Sequence, residues 1–247
     1  MPVCPWPGLA RRAILAVGLW LAGQGACGAQ TAEILGAAYL EPTEAYAHGV
    51  LGDAIEYRAL RLTVSGGGPD RLFRLGPDHV FEDIAPRLVD LDLDGRSDAV
   101  LVVETDMARG AAMALYGADG KLAETPHIGR SNRWLAPVGA ADLDGDGRVE
   151  LAYVDRPHLA KTLRIWRYEA GNLTQVAEAP GLTNHQIGQG FISGGIRDCG
   201  AGPEMILADG RWQTIMAARL QNGQITTRAL GPYSGPKDLQ TALSCTN

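Results

Sequence analysis

The chain has 247 residues, with 22 Lys and Arg against 28 Asp and Glu, a formal charge of −6 and 46% hydrophobic residues. That balance carries no basic footprint for nucleic acid or an anionic membrane surface, which argues against both as direct partners.

The N-terminal segment reads as an address and not as fold. Arg11 and Arg12 precede the apolar run from Ala13 to Ala22, and small residues follow to Ala29. A positive region, an apolar stretch and a small-residue cleavage zone predict a signal peptide over residues 1–29, cut near Gly28 or Ala29. The run is too short to span a bilayer comfortably, and no later segment is apolar enough to be a transmembrane span. Lipid attachment at Cys27 is disfavoured because Gln24 stands where an aliphatic residue is expected. The expected location is therefore outside the cytoplasm, periplasmic or extracellular. Residues 30–247 remain as a single domain of about 218 residues, enough for one core or one ring of repeats. Losing the two arginines takes its formal charge to −8.

Short apolar runs then alternate with glycine turns. Leu60–Val64 precedes Gly66–Gly68, and Ala112–Tyr116 precedes Asp119–Gly120. Leu163–Tyr168 precedes Ala170–Gly171, and Thr214–Leu220 precedes Asn222–Gly223. Gly67, Gly120, Gly171 and Gly223 are 53, 51 and 52 residues apart. A fixed step with hairpin turns between strand-like runs marks a repeat architecture. The third unit predicts strands over Leu135–Ala141, Val149–Val154, Thr162–Tyr168 and Leu173–Ala177. Four antiparallel strands per unit make a propeller blade, so the fold class is all-β: a small β-propeller of four or five blades from about four repeats of ~52 residues. The inner strands, such as Val100–Val103 and Met205–Ala208, should be buried on both faces. Thr31–Tyr39 and Leu239–Ser244 are candidates for a further partial blade closing the ring. No stretch of twelve residues has a convincing helical period.

Two acidic loops sit one period apart, Asp90-Leu-Asp-Leu-Asp-Gly-Arg-Ser-Asp98 and Asp142-Leu-Asp-Gly-Asp-Gly-Arg-Val-Glu150. Each has carboxylates at positions 1, 3, 5 and 9 and Gly at position 6. Acids this close repel unless a cation is shared, and calcium takes six to eight oxygens around such a turn. The loops are not EF-hands: position 12 is Leu101 or Tyr153, and a strand follows instead of a helix. The expected ligands are Asp90, Asp92, Asp94, the Arg96 carbonyl and Asp98 in one site. In the other they are Asp142, Asp144, Asp146, the Arg148 carbonyl and Glu150. The fourth unit, Asp198 to Glu204, lacks the middle acids, and the first keeps only remnants in Leu51–Glu56, so two calcium sites are expected.

These loops and the period resemble the FG-GAP/VCBS-type repeat family, whose signature is Asp-x-Asp-x-Asp-Gly-x-x-Asp between propeller strands. The resemblance implies the same ligand roles, with Glu150 in place of the usual Asp. It implies no activity, since such propellers serve adhesion, lectin-like binding and enzyme decoration alike.

Cys199 and Cys245 form an even pair once the signal is removed, and in an oxidising compartment a disulfide is expected. Arg133, Trp134, His158, Asn184 and His185 lie in connections that enter or leave the units, where propellers bind ligands. They are the candidate ligand site: Arg for a carboxylate or phosphate, Trp for an apolar or sugar face, Asn and His for hydrogen bonds. His48, Glu82, Arg197 and Asp198 are further polar residues without a calcium role. No two histidines lie at ligand spacing, which argues against a transition-metal site. Catalytic motifs such as a Gly-x-Ser-x-Gly elbow or a phosphate loop are missing. The leading reading is an exported calcium-binding propeller that binds a small molecule, glycan or protein without catalysis. The alternative is a secreted hydrolase for carbohydrate or ester at the channel mouth.

Overall fold

The computed structural model describes residues 32–245, and the expected signal peptide lies outside them. Among the described residues the fold is all-β and propeller-like, with one short helix. The first sheet holds β1 (Ile34–Thr43), β2 (Glu56–Val64), β3 (Arg71–Arg74), β4 (His79–Phe81), β5 (Arg87–Val89), β6 (Ala99–Asp106), β7 (Gly110–Gly117) and β8 (Gly120–Glu124). The second is the meander β9 (Leu135–Ala141), β10 (Glu150–Asp155), β11 (Thr162–Glu169) and β12 (Asn172–Pro180). The third holds β13 (Leu182–Thr183), β14 (Gly195–Asp198), β15 (Pro203–Asp209), β16 (Thr214–Gln221) and β17 (Gln224–Pro232). Helix α1 (Pro236–Leu243) ends the described chain.

The strands fall where the glycine period puts them. Ala170 and Gly171, at φ 46° and 82°, join β11 to β12, and Asn222 and Gly223, at φ 50° and 71°, join β16 to β17. Two central residues at positive φ match the right-handed twist of the flanking strands, which is why these two-residue hairpins form. The inner strands β6 and β10 and the neighbouring β7 are buried along their whole length. They can be, because sheets cover both of their faces.

Successive sheet units pack face to face. Leu60, Leu62, Phe81, Val100 and Val102 join β1–β3 to the β6–β8 meander. Leu101, Met113, Leu135, Leu151 and Tyr153 join that meander to β9–β12. Val154, Leu163, Ile165, Met205 and Leu207 join the second sheet to the third. Each such buried side chain contributes about 1.5–3 kcal/mol relative to exposure.

The first unit departs from the expected plan. Its strands do not form a separate sheet, because Tyr57 pairs with Phe81 and couples β2 to β4. The strand entering the second unit is split into β4 and β5, both paired with β6, and the one entering the fourth into β13 and β14, both paired with β15. Residues 82–86 and 184–194 bulge out between the halves.

The expected strand over Leu239–Ser244 is instead part of α1. Pro236 opens the helix, and the Asp238 carboxylate accepts the amides of Ser234 (2.7 Å) and Gly235 (3.1 Å), which caps it. Leu239 and Ala242 then share one face and cover Ile206, Ile215 and Ala217 on the outer face of the last sheet.

The expected disulfide is formed: Cys199 and Cys245 are bonded with Cα atoms 5.7 Å apart, 46 residues separated in sequence. It ties the end of the helix to the turn between β14 and β15. Closing a loop of that length contributes about 4 kcal/mol through the unfolded state in the chain-entropy view. Cys199→Ser should lower the unfolding free energy by about 3–4 kcal/mol in denaturant melts. Non-reduced peptide mapping should recover the 199–245 pair, and two alkylatable thiols in the folded protein would contradict the bridge.

Candidate functional site

The acidic loops connect β5 to β6 and β9 to β10, and the same bonds shape both. The position-1 carboxylate takes the amide of the position-6 glycine: Asp90 from Gly95 (2.7 Å) and Asp142 from Gly147 (2.9 Å). The position-9 carboxylate takes the position-2 amide: Asp98 from Leu91 and Glu150 from Leu143, both 2.8 Å. The position-5 carboxylate takes the position-7 amide, at 2.9 Å in Asp94 and 3.0 Å in Asp146. These bonds turn the acids inward. One oxygen from each of Asp90, Asp92 and Asp94 lies within 4.8 Å of the others, and likewise for Asp142, Asp144 and Asp146. An all-oxygen donor set suits a hard cation. Asp144 Oδ1 is buried without a hydrogen-bond partner, an oxygen that such an ion would satisfy.

The loops differ in counter-charge. In the second, Arg167 on β11 reaches Asp144 (2.5 Å), Glu150 (2.6 Å) and Asp146 (3.2 Å). In the first, a cavity of about 290 Å³ lined by Asp92, Asp98, Ala118 and Asp119 lies beside the acids. Burial pushes the carboxyls of Asp98 and Glu150 above their ordinary range. The fourth unit keeps the strand-entry acid, Glu204, but not the loop. Its carboxylate is held by Arg197 (2.5 Å), Arg228 (2.9 Å) and Arg219 (3.1 Å). Burial alone would raise the Glu204 carboxyl, and the three arginine hydrogen bonds outweigh it and hold it below the ordinary value.

A second site lies at the other end of the strands. A cavity of about 210 Å³ is lined by His48, Asn132, Arg133, Trp134, Arg156 and His158, with Val50, Leu159 and Ile187 as its apolar part. Of the five residues read as a ligand site, Arg133, Trp134 and His158 line it. Asn184 and His185 do not: both are buried, and Asn184 donates to the carbonyls of Ala136 (3.3 Å) and Pro137 (3.0 Å). Trp134 is 2% exposed, and its indole N–H donates to the Glu82 carbonyl at 2.9 Å. His158 Nε2 meets His185 Nδ1 at 2.9 Å, and His185 Nε2 meets the Gln189 carbonyl at 2.9 Å. A carbonyl only accepts, so His185 donates to Gln189 and His158 donates to His185. His158 is left with Nδ1 as an acceptor. Burial lowers both imidazoles, His158 to about 4 with help from the neighbouring His185, so both are neutral at neutral pH. The Arg133 guanidinium has no hydrogen-bond or ion-pair partner among the described residues.

Behind the cavity lies a pair that spacing alone does not reveal. His48 Nδ1 is 2.5 Å from Glu82 Oε1, and Thr105 Oγ1 donates to Glu82 Oε2 at 2.7 Å. A carboxylate-held imidazole can accept a proton through Nε2. Among the described residues, the side chains lining this cavity include no Ser, Thr or Cys to act as a nucleophile.

Residues 90–153 match the family model described as an FG-GAP-like repeat. The chain carries an FG-GAP-like repeat. The match runs from the first acid of one loop, through β6–β9 and the second loop, into β10, which is one period plus a loop. No curated protein matches the chain. Among the described residues no helix is long and apolar enough to cross a membrane.

Glu56 opens β2 near Glu82, Asp53 and Asp83, outside the FG-GAP-like match. It is 2% exposed and its Oε2 has no hydrogen-bond partner. Burial, then the charges of Glu82, Asp53 and Asp83, push its carboxyl up to about 9. The folded state thus favours protonated Glu56, and its contribution to stability is lost as pH rises from the unfolded value near 4.5 toward about 9. Glu56→Gln should stabilise the protein at pH 8 by at least about 1 kcal/mol, roughly 2–4 °C in Tm for a domain of this size. The gain should vanish by about pH 4, where both states hold the proton. Thermal melts of both proteins across that range check it; equal melting at every pH would refute the assignment.

Proposed function

We propose that the protein is an exported, four-bladed, calcium-stabilised binding module that takes a small ligand at the end of the strands opposite its calcium loops. The observation that carries this reading is the pair of matched acidic loops, one repeat apart and shaped by the same hydrogen bonds, on a framework of stacked sheets. Asp90, Asp92, Asp94 and Asp98 would hold one ion, and Asp142, Asp144, Asp146 and Glu150 the other, with backbone oxygens at Arg96 and Arg148. Calcium there supplies charge neutralisation and fixes the entry to each inner strand. Export is supported by the composition of residues 11–29 and by the 199–245 disulfide.

The cavity around Trp134 supports the ligand site. An unpaired guanidinium, two imidazoles and the exposed apolar side chains of Leu159 and Ile187 suit a ligand with an anionic head and an apolar body. The His48–Glu82 pair favours a second reading, hydrolysis of an ester or glycoside with water as the nucleophile. Binding ranks above it because, among the described residues, no second carboxylate lines the cavity to act as acid.

Calcium at a hundredfold excess over its dissociation constant should stabilise the protein by about 2.7 kcal/mol per site. A chelator should reverse the gain, and Asp92→Asn with Asp144→Asn should abolish it. A melting curve indifferent to calcium and chelator would reduce the loops to turns. For the ligand end, calorimetry with short-chain and aromatic carboxylates should find binding that Arg133→Ala weakens at least tenfold. Turnover of chromogenic esters or glycosides, lost in Glu82→Gln, would replace binding by catalysis.

A further inference from the structure

His79, Asp106 and His127 are far apart in sequence and meet where β4 begins and β6 ends in the first sheet. His79 opens β4, Asp106 ends β6, and His127 follows β8. One ring nitrogen from each histidine and one Asp106 oxygen lie within 4.8 Å of one another. His79 pairs with Asp106 across β4 and β6, which puts its Nε2 3.7 Å from Asp106 Oδ2.

In each ring Nδ1 is already tied. His79 Nδ1 is 2.9 Å from Asp78 Oδ1, and His127 Nδ1 is 2.6 Å from the Gly110 carbonyl. Both partners are acceptors, so each Nδ1 carries the proton and each Nε2 keeps its lone pair. A histidine that ligates a metal through one nitrogen almost always donates the other N–H to a carboxylate or carbonyl, and here both do. Asp106 is held as well: Oδ1 accepts the amides of Ala108 (2.8 Å) and Arg109 (3.0 Å), and Oδ2 the Arg109 Nε (2.6 Å). Each carboxylate oxygen has two lone pairs, so Oδ2 can bind a metal and keep Arg109 as an outer hydrogen bond. The Gly110 carbonyl is fixed by close packing. At φ 82°, a Cβ on Gly110 would stand 2.6 Å from the Arg130 carbonyl.

We propose that His79, Asp106 and His127 bind a divalent transition metal of the zinc class. Two imidazoles and one carboxylate are a donor set for zinc and not for calcium, which takes oxygen alone. At metal–ligand distances of about 2.0–2.1 Å, tetrahedral ligands stand about 3.3 Å apart. His79 and Asp106 are close to that separation, and the remaining closure falls to His127. The three leave a fourth position for water, since the His79 side chain is 20% exposed. This site shares no residue with the acidic loops or the cavity around Trp134, and it stands or falls independently of them.

The test is calorimetric titration of zinc into calcium-saturated protein, which keeps the acidic loops filled. One zinc ion per chain should bind, and the Asp92→Asn/Asp144→Asn double variant should bind it equally well. His79→Gln and His127→Gln should each weaken binding at least tenfold, and Asp78→Asn by about 10-fold as an outer-shell change. His158→Gln should leave binding unchanged. Zinc-edge X-ray absorption of the wild-type complex, which needs no variant, should show two imidazole nitrogens at about 2.0–2.1 Å. Absence of saturable zinc binding, a complex without imidazole ligands, or binding lost in His158→Gln but kept in His79→Gln would each overturn the proposal.

Discussion

Each inner strand that carries the core begins on a buried or half-buried carboxylate, and much of the molecule is an answer to that charge. Asp98 opens β6, Glu150 opens β10 and Glu204 lies near the start of β15. The acid is useful there because it accepts the amide that turns the chain into the strand, as at Leu91 and Leu143. It is costly there because the sheets on either side remove its water, and a buried charge must be paired. The fourth unit answers with arginines, since Glu204 meets Arg197, Arg219 and Arg228. The third combines Arg167 with three further aspartates, of which Asp146 also pairs with Arg148. The second has the aspartates and an adjoining cavity. Read along the chain, guanidinium and the proposed calcium are alternative counter-charges for one structural position. Where the loop loses its middle acids, as between Asp198 and Glu204, the arginines gather.

The length of the inner strands keeps the two functional ends apart. β6 runs eight residues from Ala99 to Asp106, about 26 Å at strand rise. The acidic loops sit where such strands begin and the cavity around Trp134 sits where they finish. The strand exits carry Asp106 and Asp155, the last residues of β6 and β10. The bulges at 82–86 and 184–194 belong to this second end. They interrupt β4–β5 and β13–β14, and they deliver Glu82 to His48 and His185 to His158.

What was legible in the sequence was local. The hairpins at 170–171 and 222–223, the loop acids, the buried runs and the inner strands all depend on residues a few positions apart, and each is where the pattern puts it. The even cysteine pair was readable because redox context and count suffice. Contacts between distant segments were not readable. His79, Asp106 and His127 have no common spacing, and only the pairing of β4 with β6 and the fold-back after β8 bring them together. The absence of ligand spacing along the chain therefore gives no sign that these three side chains converge. Asn184 and His185 lie in a connection between units, which is what marks them as ligand-site candidates in the sequence, but the 184–194 bulge folds back on itself through Ser193 and Asn184 and buries both. The helix was missed because one short face, Leu239 and Ala242, is too little periodicity to outweigh a strand reading of the same residues.

That helix also bears on how the stack of sheets ends. A repeat cannot bury its outer face without a neighbour, and in a closed ring the neighbour of the last unit is the first. Here the outer face of the last sheet carries Ile206, Ile215 and Ala217, and α1 covers it with Leu239 and Ala242. Two further ties hold the helix in place: Arg197 donates to the Ala242 carbonyl while pairing with Glu204, and the disulfide anchors Cys245 beyond the helix end. The arginine that pairs with the strand-entry acid Glu204 therefore also holds the cap. Arg197 thus links the strand-entry carboxylate of the fourth unit to the terminal helix. A guanidinium can reach past the carboxylate to a helix carbonyl, which a loop-bound metal ion cannot do.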